Sequence, residues 1–306
     1  MKRYDSLVVV VVYPGSEKFF SDFDHAIRTQ DTANFDLLIL VEDTVALNGL
    51  SCANHSILLR SPTPASMTRN RCALLSYAKG HEYKKLIFCD IDDTFSAGRI
   101  SRSISALEEA DFVFNELSLV DCHGRILADN VLATIFKENI IADVDQILDQ
   151  NFLGMSHTSV KVEQIPWQGE IPNVIAFDWY LFSSLLLMNR VGTRLRAETT
   201  FYRQTESNFV GLKKPITKQG IDLAVRVKTL HYTAMQKFCE GKKNCYGEVY
   251  EKKKIEMHEL SHKLRDTRFA ERYISVAKQR INVFQQGWWS EAVPLSTWES
   301  YESQIL

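Results

Sequence analysis

The sequence predicts an α/β protein: a mainly parallel, Rossmann-like sheet flanked by helices, followed by a helical C-terminal extension. Three observations carry this. Leu7–Tyr13, Phe35–Val41 and Leu86–Cys89 are nearly continuous apolar runs, as strands covered on both faces are. Segments of helical spacing separate them, which implies right-handed crossovers between parallel strands. After Lys213 the composition shifts towards Lys and Glu with few apolar anchors.

Taken in order, Leu7–Tyr13 is a β-branched strand stopped by Pro14-Gly15. Its apolar stretch is too short to cross a membrane and lacks a small-residue cleavage site. Ser16–Thr29 places Phe19, Phe20, Phe23, Ala26 and Ile27 at helical spacing. Phe35–Val41 is the second strand and ends in Glu42-Asp43-Thr44; Ser56–Leu59 is a short third. Thr68–Ala78 reads as a helix, Leu86–Cys89 as a strand, Ile100–Ala110 as a helix and Asp111–Asn115 as a strand start. Leu132–Leu148 has a helical pattern, whereas 151–161 and 164–173 read as loops around Pro166 and Pro172. Phe177–Asn189 is a strongly apolar helix and Thr193–Tyr202 a strand. From Ile216 the chain reads as helical, and the tail from Gly287, with Trp288, Trp289 and Trp298, is expected to dock on the main body.

Bulk properties narrow the function classes. The 306 residues carry a net charge of −2, so no basic field points to nucleic acid. Six cysteines are scattered at 52, 72, 89, 122, 239 and 245 without a disulfide framework, which implies a cytosolic compartment.

The strand Leu86–Cys89 ends in Asp90-Ile91-Asp92-Asp93. Carboxylates this close repel one another unless a hard cation sits among them. Mg²⁺ or Mn²⁺ takes such oxygen ligands and shares them with substrate phosphates. The carboxyl edge of an open α/β sheet is also where ligands bind. An Asx-rich turn is the purely structural reading. Asp43 ends a neighbouring strand and can contact a ribose or a base. Arg69 or Arg71, at a helix start, can meet a phosphate. Asp178 begins the apolar helix beside Phe177 and Trp179, whose bulk would desolvate it toward a general-base role; capping the helix is its structural alternative. Arg203 is a candidate partner for a diphosphate or carboxylate. His258-Glu259-Leu260-Ser261-His262 matches H-E-x-x-H, a zinc motif when it lies in a helix, but its surroundings are polar and Lys-rich.

In order, these motifs resemble a divergent family 2 glycosyltransferase of the bacterial polysaccharide type, with the glycosyltransferase-A fold. The resemblance spans about residues 5–212. It rests on VVVVVYPG, LLILVEDT, TRNRCALLSYAKG, LIFCDIDDTF and DWYLFSSLLLMNRVG with AETTFYRQTESNFVG. It implies a nucleotide-sugar half at about 1–115, an acceptor half at about 116–215 and an extension at 216–306. It further implies that Tyr13, Asp43, Arg69, Asp90, Arg203 and Gln204 hold the nucleotide sugar. Asp90 and Asp92 would be the D-x-D metal ligands for Mg²⁺ or Mn²⁺, and Asp178 the base on an acceptor hydroxyl. The implied reaction is an inverting transfer onto a glycan or lipid-linked acceptor in the cytoplasm, which admits association with the inner membrane face. The chain departs from the family at Tyr13-Pro14-Gly15, at Glu42-Asp43-Thr44, and at Thr205 where many relatives have His. A catalytically degenerate sugar-nucleotide or glycan-binding module, a zinc hydrolase on His258 and His262, and a nucleotidyltransferase are the competing readings. The last would show a glycine-rich basic loop after the first strand, of which Pro14-Gly15-Ser16-Glu17 is a poor version.

Overall fold

The apolar runs become strands side by side in the computed structural model, which describes residues 2–42, 45–166, 170–204, 215–242, 246–280 and 287–304. The chain divides into two units. The first comprises residues 1–143, 153–171 and 185–207; the second comprises 144–152, 172–184 and 208–306.

The first unit holds the sheet. Its strands are β1 (Ser6–Val12), β2 (Asp36–Val41), β3 (Ile57–Arg60), β4 (Lys85–Phe88), β5 (Thr94–Phe95), β6 (Phe112–Val120), β7 (Ile126–Ala128), β8 (Ile140–Ile141), β9 (Thr158–Lys161) and β10 (Gly192–Arg203). The spatial order is β3-β2-β1-β4-β9-β6-β10-β5, with β7 beside β6 and β8 beside β10. The β1, β2, β3 and β4 pairings are parallel, as is β6 with β10. Helices α1 (Phe20–Arg28), α2 (Met67–Gly80) and α3 (Arg99–Ala106) alternate with these strands. One face of β1 and β2 packs with Phe20, Phe23 and Ile27 of α1 in a core that also takes in Ile87, Cys89 and Ile100.

Two local expectations are corrected. The segment 151–161, read as a loop, carries β9, which runs antiparallel between β4 and β6. Its four residues, Thr-Ser-Val-Lys, hold one large apolar side chain, too little for a visible pattern. Leu132–Leu148 is not one helix. It breaks into α4 (Val131–Ile135), β8 and a 3-10 turn at Val144–Ile147. The strand begun at Asp111 continues to Val120 through polar Asn115 and Glu116, both buried. They are tolerated because each is paired. Arg99 Nε and Thr200 bond Asn115, and Glu116 forms an ion pair with Arg194 while accepting the backbone N–H groups of Leu117 and Leu132. A buried polar group that finds its partners no longer carries the cost of desolvation.

Gly192 opens β10 where a Cβ would overlap the buried Phe112 ring and the Ile141 side chain. Gly192→Ala is expected to lose about 1–3 kcal/mol by overpacking. A urea unfolding curve with an unchanged midpoint would contradict this.

The second unit is largely helical: α5 (Phe177–Leu187, its first turns), α6 (Lys218–Cys239), α7 (Tyr246–Lys263), α8 (Thr267–Gln279) and α9 (Leu295–Ser303). Trp179 is fully buried; its indole N–H donates to the Ile147 carbonyl at 2.7 Å and its ring stacks on His231 at 3.9 Å. The tryptophan-rich tail packs within this unit. Residues Asn151 and Trp288 exchange backbone hydrogen bonds of 3.1 and 2.9 Å. The buried Lys228 ammonium donates to the Ala292 carbonyl at 2.6 Å, and Trp298 stacks on Tyr273. Among the described residues no helix is long and apolar enough to cross a membrane.

Candidate active site

Parallel pairing fixes where the candidate site lies. The register sets Val9 beside Phe88 and Val12 beside Val41, so the chain leaves β1, β2 and β4 at one sheet edge. Tyr13 follows β1, Glu42 follows β2, and Asp90-Ile91-Asp92-Asp93 follows β4. The four residues after Cys89 form a tight turn, closed by Asp93 N–H donating to the Asp90 carbonyl at 3.2 Å.

Helix α2 supplies the next layer. Ser66 caps it, its hydroxyl accepting the Arg69 N–H at 3.2 Å. That start sets the phase of the following residues. Buried Asn70 donates to Glu42 Oε1 at 2.8 Å and accepts the Ser61 hydroxyl at 2.6 Å, so one side chain ties the ends of β2 and β3. Arg71 forms an ion pair with Asp90. Its other terminal nitrogen, Nη1, is buried and has no hydrogen-bond acceptor among the described residues.

The three acids occupy different environments. Asp90 is partly exposed and paired with Arg71. Asp92 is pushed up to about 6, first by burial and then by the negative charge of Asp90. The Tyr13 hydroxyl bonds it and is itself held well above its usual range by burial and by the carboxylates. Asp93 is buried, and burial plus the charges of Asp92 and Asp90 hold its carboxyl well above the ordinary range. Its Oδ1 accepts the Arg203 backbone N–H at 2.9 Å.

Arg203, the last residue of β10, reaches this turn because β10 pairs with β5 just after it. Its Nε donates to the Asp92 carbonyl at 2.9 Å, Nη1 to the Cys122 carbonyl at 2.9 Å and Nη2 to Asp22 at 2.6 Å. Arg99 is fully buried behind the turn, bonded to the Phe88 carbonyl at 2.6 Å and Cys89 Sγ at 3.1 Å. Three guanidinium groups thus surround the acids and offset their mutual repulsion.

The structure brings Tyr13, Asp90, Asp92 and Arg203 together. Arg69 lies two residues before Arg71 on α2. Gln204 follows Arg203; its backbone N–H donates to the Val120 carbonyl at 2.7 Å, and its buried amide nitrogen has no partner among the described residues. Asp43 lies outside the described residues. Asp178 sits in the second unit, in the first turn of α5, where Oδ1 accepts the Trp179 N–H at 2.8 Å. The adjacent Trp179 ring stacks on His231, and its indole N–H donates to the Ile147 carbonyl. Sequence reasoning left Tyr13 without a partner. It missed Asn70, Asp22 and Arg99 entirely. The Ser66 cap is the one local signal that sets the face of α2.

His258 and His262 lie exposed on α7. No group of three or more His, Cys, Asp or Glu residues that could hold a metal forms among the described residues. The zinc motif is therefore a solvated helix face.

Asp92 makes the metal-free protein pH-dependent. Its folded value lies above its unfolded one, so its stabilising contribution is complete below the unfolded value of about 3.8 and is lost as pH rises through about 6. Without divalent cations, Asp92→Asn is expected to gain stability relative to the parent between pH 4 and pH 8. Melting curves whose separation does not change across that range would exclude this.

No protein-family model and no curated protein matches the chain by sequence. Solved structures do match by fold. Staphylococcus aureus TarS (residues 1–349) in complex with UDP-GlcNAc superposes with a TM-score of 0.54 at 15% identity, covering 83% of this chain and 72% of that one. The mannosyltransferase PcManGT from Pyrobaculum calidifontis, in complex with GDP-Man and Mn²⁺, superposes with a TM-score of 0.56 at 12% identity, covering 90% and 76%. At such identities the likeness is one of fold, and the fold of this chain is similar to that of glycosyltransferase-A structures.

Proposed function

We propose that this protein is a glycosyltransferase that moves a sugar from a nucleoside-diphosphate donor to a hydroxyl acceptor, such as a growing surface glycan, with inversion and with Mg²⁺ or Mn²⁺. One observation carries the reading: the Asp90–Asp93 turn lies at the carboxyl edge of parallel strands in a fold shared with nucleotide-sugar-bound structures. That edge is where open α/β sheets bind their ligands.

The donor set fits the ion. Mg²⁺ and Mn²⁺ sites commonly use one or two carboxylates and complete their shell with phosphate oxygens and water. Asp90 and Asp92 would supply such a pair. When bound, the ion neutralises charge on the departing diphosphate.

The remaining chemistry belongs to the chain. Tyr13, just after β1, and Arg69, in the first turn of α2, belong to the nucleotide-sugar half, residues 1–115; Asp43 is assigned to the same half from the sequence. Arg203 holds the acidic turn in shape. Three of its nitrogens are already engaged, so a phosphate reaches it only by replacing one of those acceptors. Gln204 offers an unpartnered amide beside it. Asp178, in the acceptor half at 116–215, accepts the proton of the acceptor hydroxyl. The acceptor oxygen then bonds to the anomeric carbon on the face opposite the leaving group. The bond from that carbon to the diphosphate breaks, and the electron pair leaves with the nucleoside diphosphate. Residues 216–306 form a helical extension to these halves.

The test is a thermal-shift screen of UDP-, GDP-, CMP- and dTDP-sugars with and without Mn²⁺. A donor at about a hundred times its Kd stabilises the fold by roughly 2.7 kcal/mol. Metal-dependent stabilisation by one nucleotide, followed by release of that nucleotide on adding acceptor glycans, supports the reading. Stabilisation without turnover indicates a binding module, and no shift with any donor overturns both. Asp178→Asn is expected to lower kcat by about 10²–10⁴-fold, the usual contribution of a general base, while donor stabilisation persists. Retained kcat would remove Asp178 from this role.

A further inference from the structure

Both D-x-D carboxylates already have partners from the protein itself. Asp90 is paired with the Arg71 guanidinium, and Asp92 accepts the Tyr13 hydroxyl. A divalent ion entering alone therefore displaces a resident cation from Asp90. The displaced guanidinium carries Nη1, buried and without an acceptor among the described residues. An arginine that loses its carboxylate in so enclosed a place needs another anion, and a guanidinium fork matches phosphate oxygens as well as it matches a carboxylate.

We infer that Arg71 is an exchangeable internal cation that holds Asp90 against free divalent ions and couples metal entry to the arrival of a diphosphate. This rests on the transferase reading above. The metal takes Asp90 from Arg71, and the diphosphate takes Arg71 from Asp90. Each ligand removes the cost of the other, and by linkage the coupling is the same in both directions. Lone Asp90-Asp92 carboxylates would bind Mn²⁺ whether or not donor was present. With Arg71 in place, the protein avoids charging its site with metal alone, and the donor diphosphate becomes the trigger.

The surrounding geometry supports a pair that separates. Asp90 and Arg71 come from different elements, the end of β4 and the first turns of α2, and the Asp90 side chain is 28% exposed. Asp22 and the Asp92 and Cys122 carbonyls occupy Arg203 instead. Arg99 is locked on Asn115, Cys89 and Phe88. Arg71 pairs with the carboxylate of a candidate metal ligand, whereas Arg203 Nε bonds the Asp92 main-chain carbonyl.

The test measures Mn²⁺ binding directly, from the electron paramagnetic resonance signal of the free ion, on the full chain. Wild type, Arg71→Gln and Arg71→Lys are titrated alone and with UDP or GDP, and thermal melts check folding. Arg71→Gln is expected to bind Mn²⁺ about tenfold more tightly than wild type without nucleotide, a coupling of ordinary size. The further tightening produced by nucleotide is expected to shrink by a similar factor. Arg71→Lys, which keeps the charge, is expected to behave as wild type. Should Arg71→Gln not fold, Arg71→Met keeps the apolar stem and replaces it. Equal or weaker Mn²⁺ binding by the neutral variants overturns this inference alone. Absence of Mn²⁺ binding in every protein, with nucleotide or without, overturns the metal-dependent transferase reading together with it.

Discussion

Asp92→Asn is expected to abolish metal-dependent stabilisation by the donor and to lower sugar transfer about a thousandfold or more, equivalent to roughly 4 kcal/mol of barrier. Asparagine keeps the shape and can still meet the Tyr13 hydroxyl. On the proposed function it removes the charge that would bind a divalent ion and, through the ion, offset the charge of the departing diphosphate. The fold does not depend on that charge, because burial and Asp90 oppose it. The variant is therefore expected to melt no lower than the parent at neutral pH without metal. This separates the site from the scaffold: a variant that loses activity because it unfolds contradicts the assignment as firmly as one that keeps activity. The measurements are an initial-rate assay with saturating Mn²⁺ and a melt of the same preparation.

Arg203→Met is expected to destabilise the protein by about 2–4 kcal/mol, the scale of leaving buried hydrogen-bond acceptors without their donor. The guanidinium is nearly buried and serves two carbonyls and one carboxylate. Methionine replaces the stem and leaves the Asp92 and Cys122 carbonyls without a donor. Its backbone N–H still reaches Asp93. The acidic turn is then pinned by its main chain and no longer by the side chain, so donor binding is expected to weaken along with stability. Denaturant unfolding combined with donor titration reads both. Asp22→Asn serves as the comparison. Asp22 is 52% exposed, and a half-solvated ion pair contributes little. A loss in Arg203→Met no larger than in Asp22→Asn would show that the carbonyl bonds do not hold the turn.

Much of the fold was legible because burial leaves a pattern. A parallel strand covered on both faces must be apolar at every position, and Leu7–Val12, Leu37–Val41 and Leu86–Phe88 are. Where burial was polar, the pattern failed. Asn115 and Glu116 sit in the middle of β6, and only Arg99, Thr200 and Arg194, distant in the chain, make them acceptable there. Strand β9 has too few side chains to show a period. Its place between β4 and β6 is decided by the open edges of those strands.

The site divides in the same way. The acidic cluster after β4 was readable because acids at the end of an apolar run are costly without a purpose. Helix α2 was readable, but the roles of its residues were not. Arg69 and Arg71 are alike on paper, and it is the helix phase, set by Ser66, that gives Asp90 to Arg71 and Glu42 to Asn70. Arg203 was read as a partner for a diphosphate or a carboxylate, and Asp22 is such a carboxylate. In the folded chain it holds the turn together, and nothing in Phe-Tyr-Arg-Gln foretells that its partners are Asp22, Asp92 and Cys122.

By itself, the sequence determined the α/β alternation, the strand whose end carries the acids, the helical extension and the candidate chemistry of Asp90 and Asp92, because periodicity and residue type are local properties. The tertiary structure decided which charges meet: Arg71 with Asp90, Tyr13 with Asp92, and Arg203 with Asp22. It also buried Asp92 beside Asp90, which together push Asp92 up to about 6. Ion pairing and desolvation depend on distance and burial, and both are set by strand register and helix phase across segments far apart in the chain.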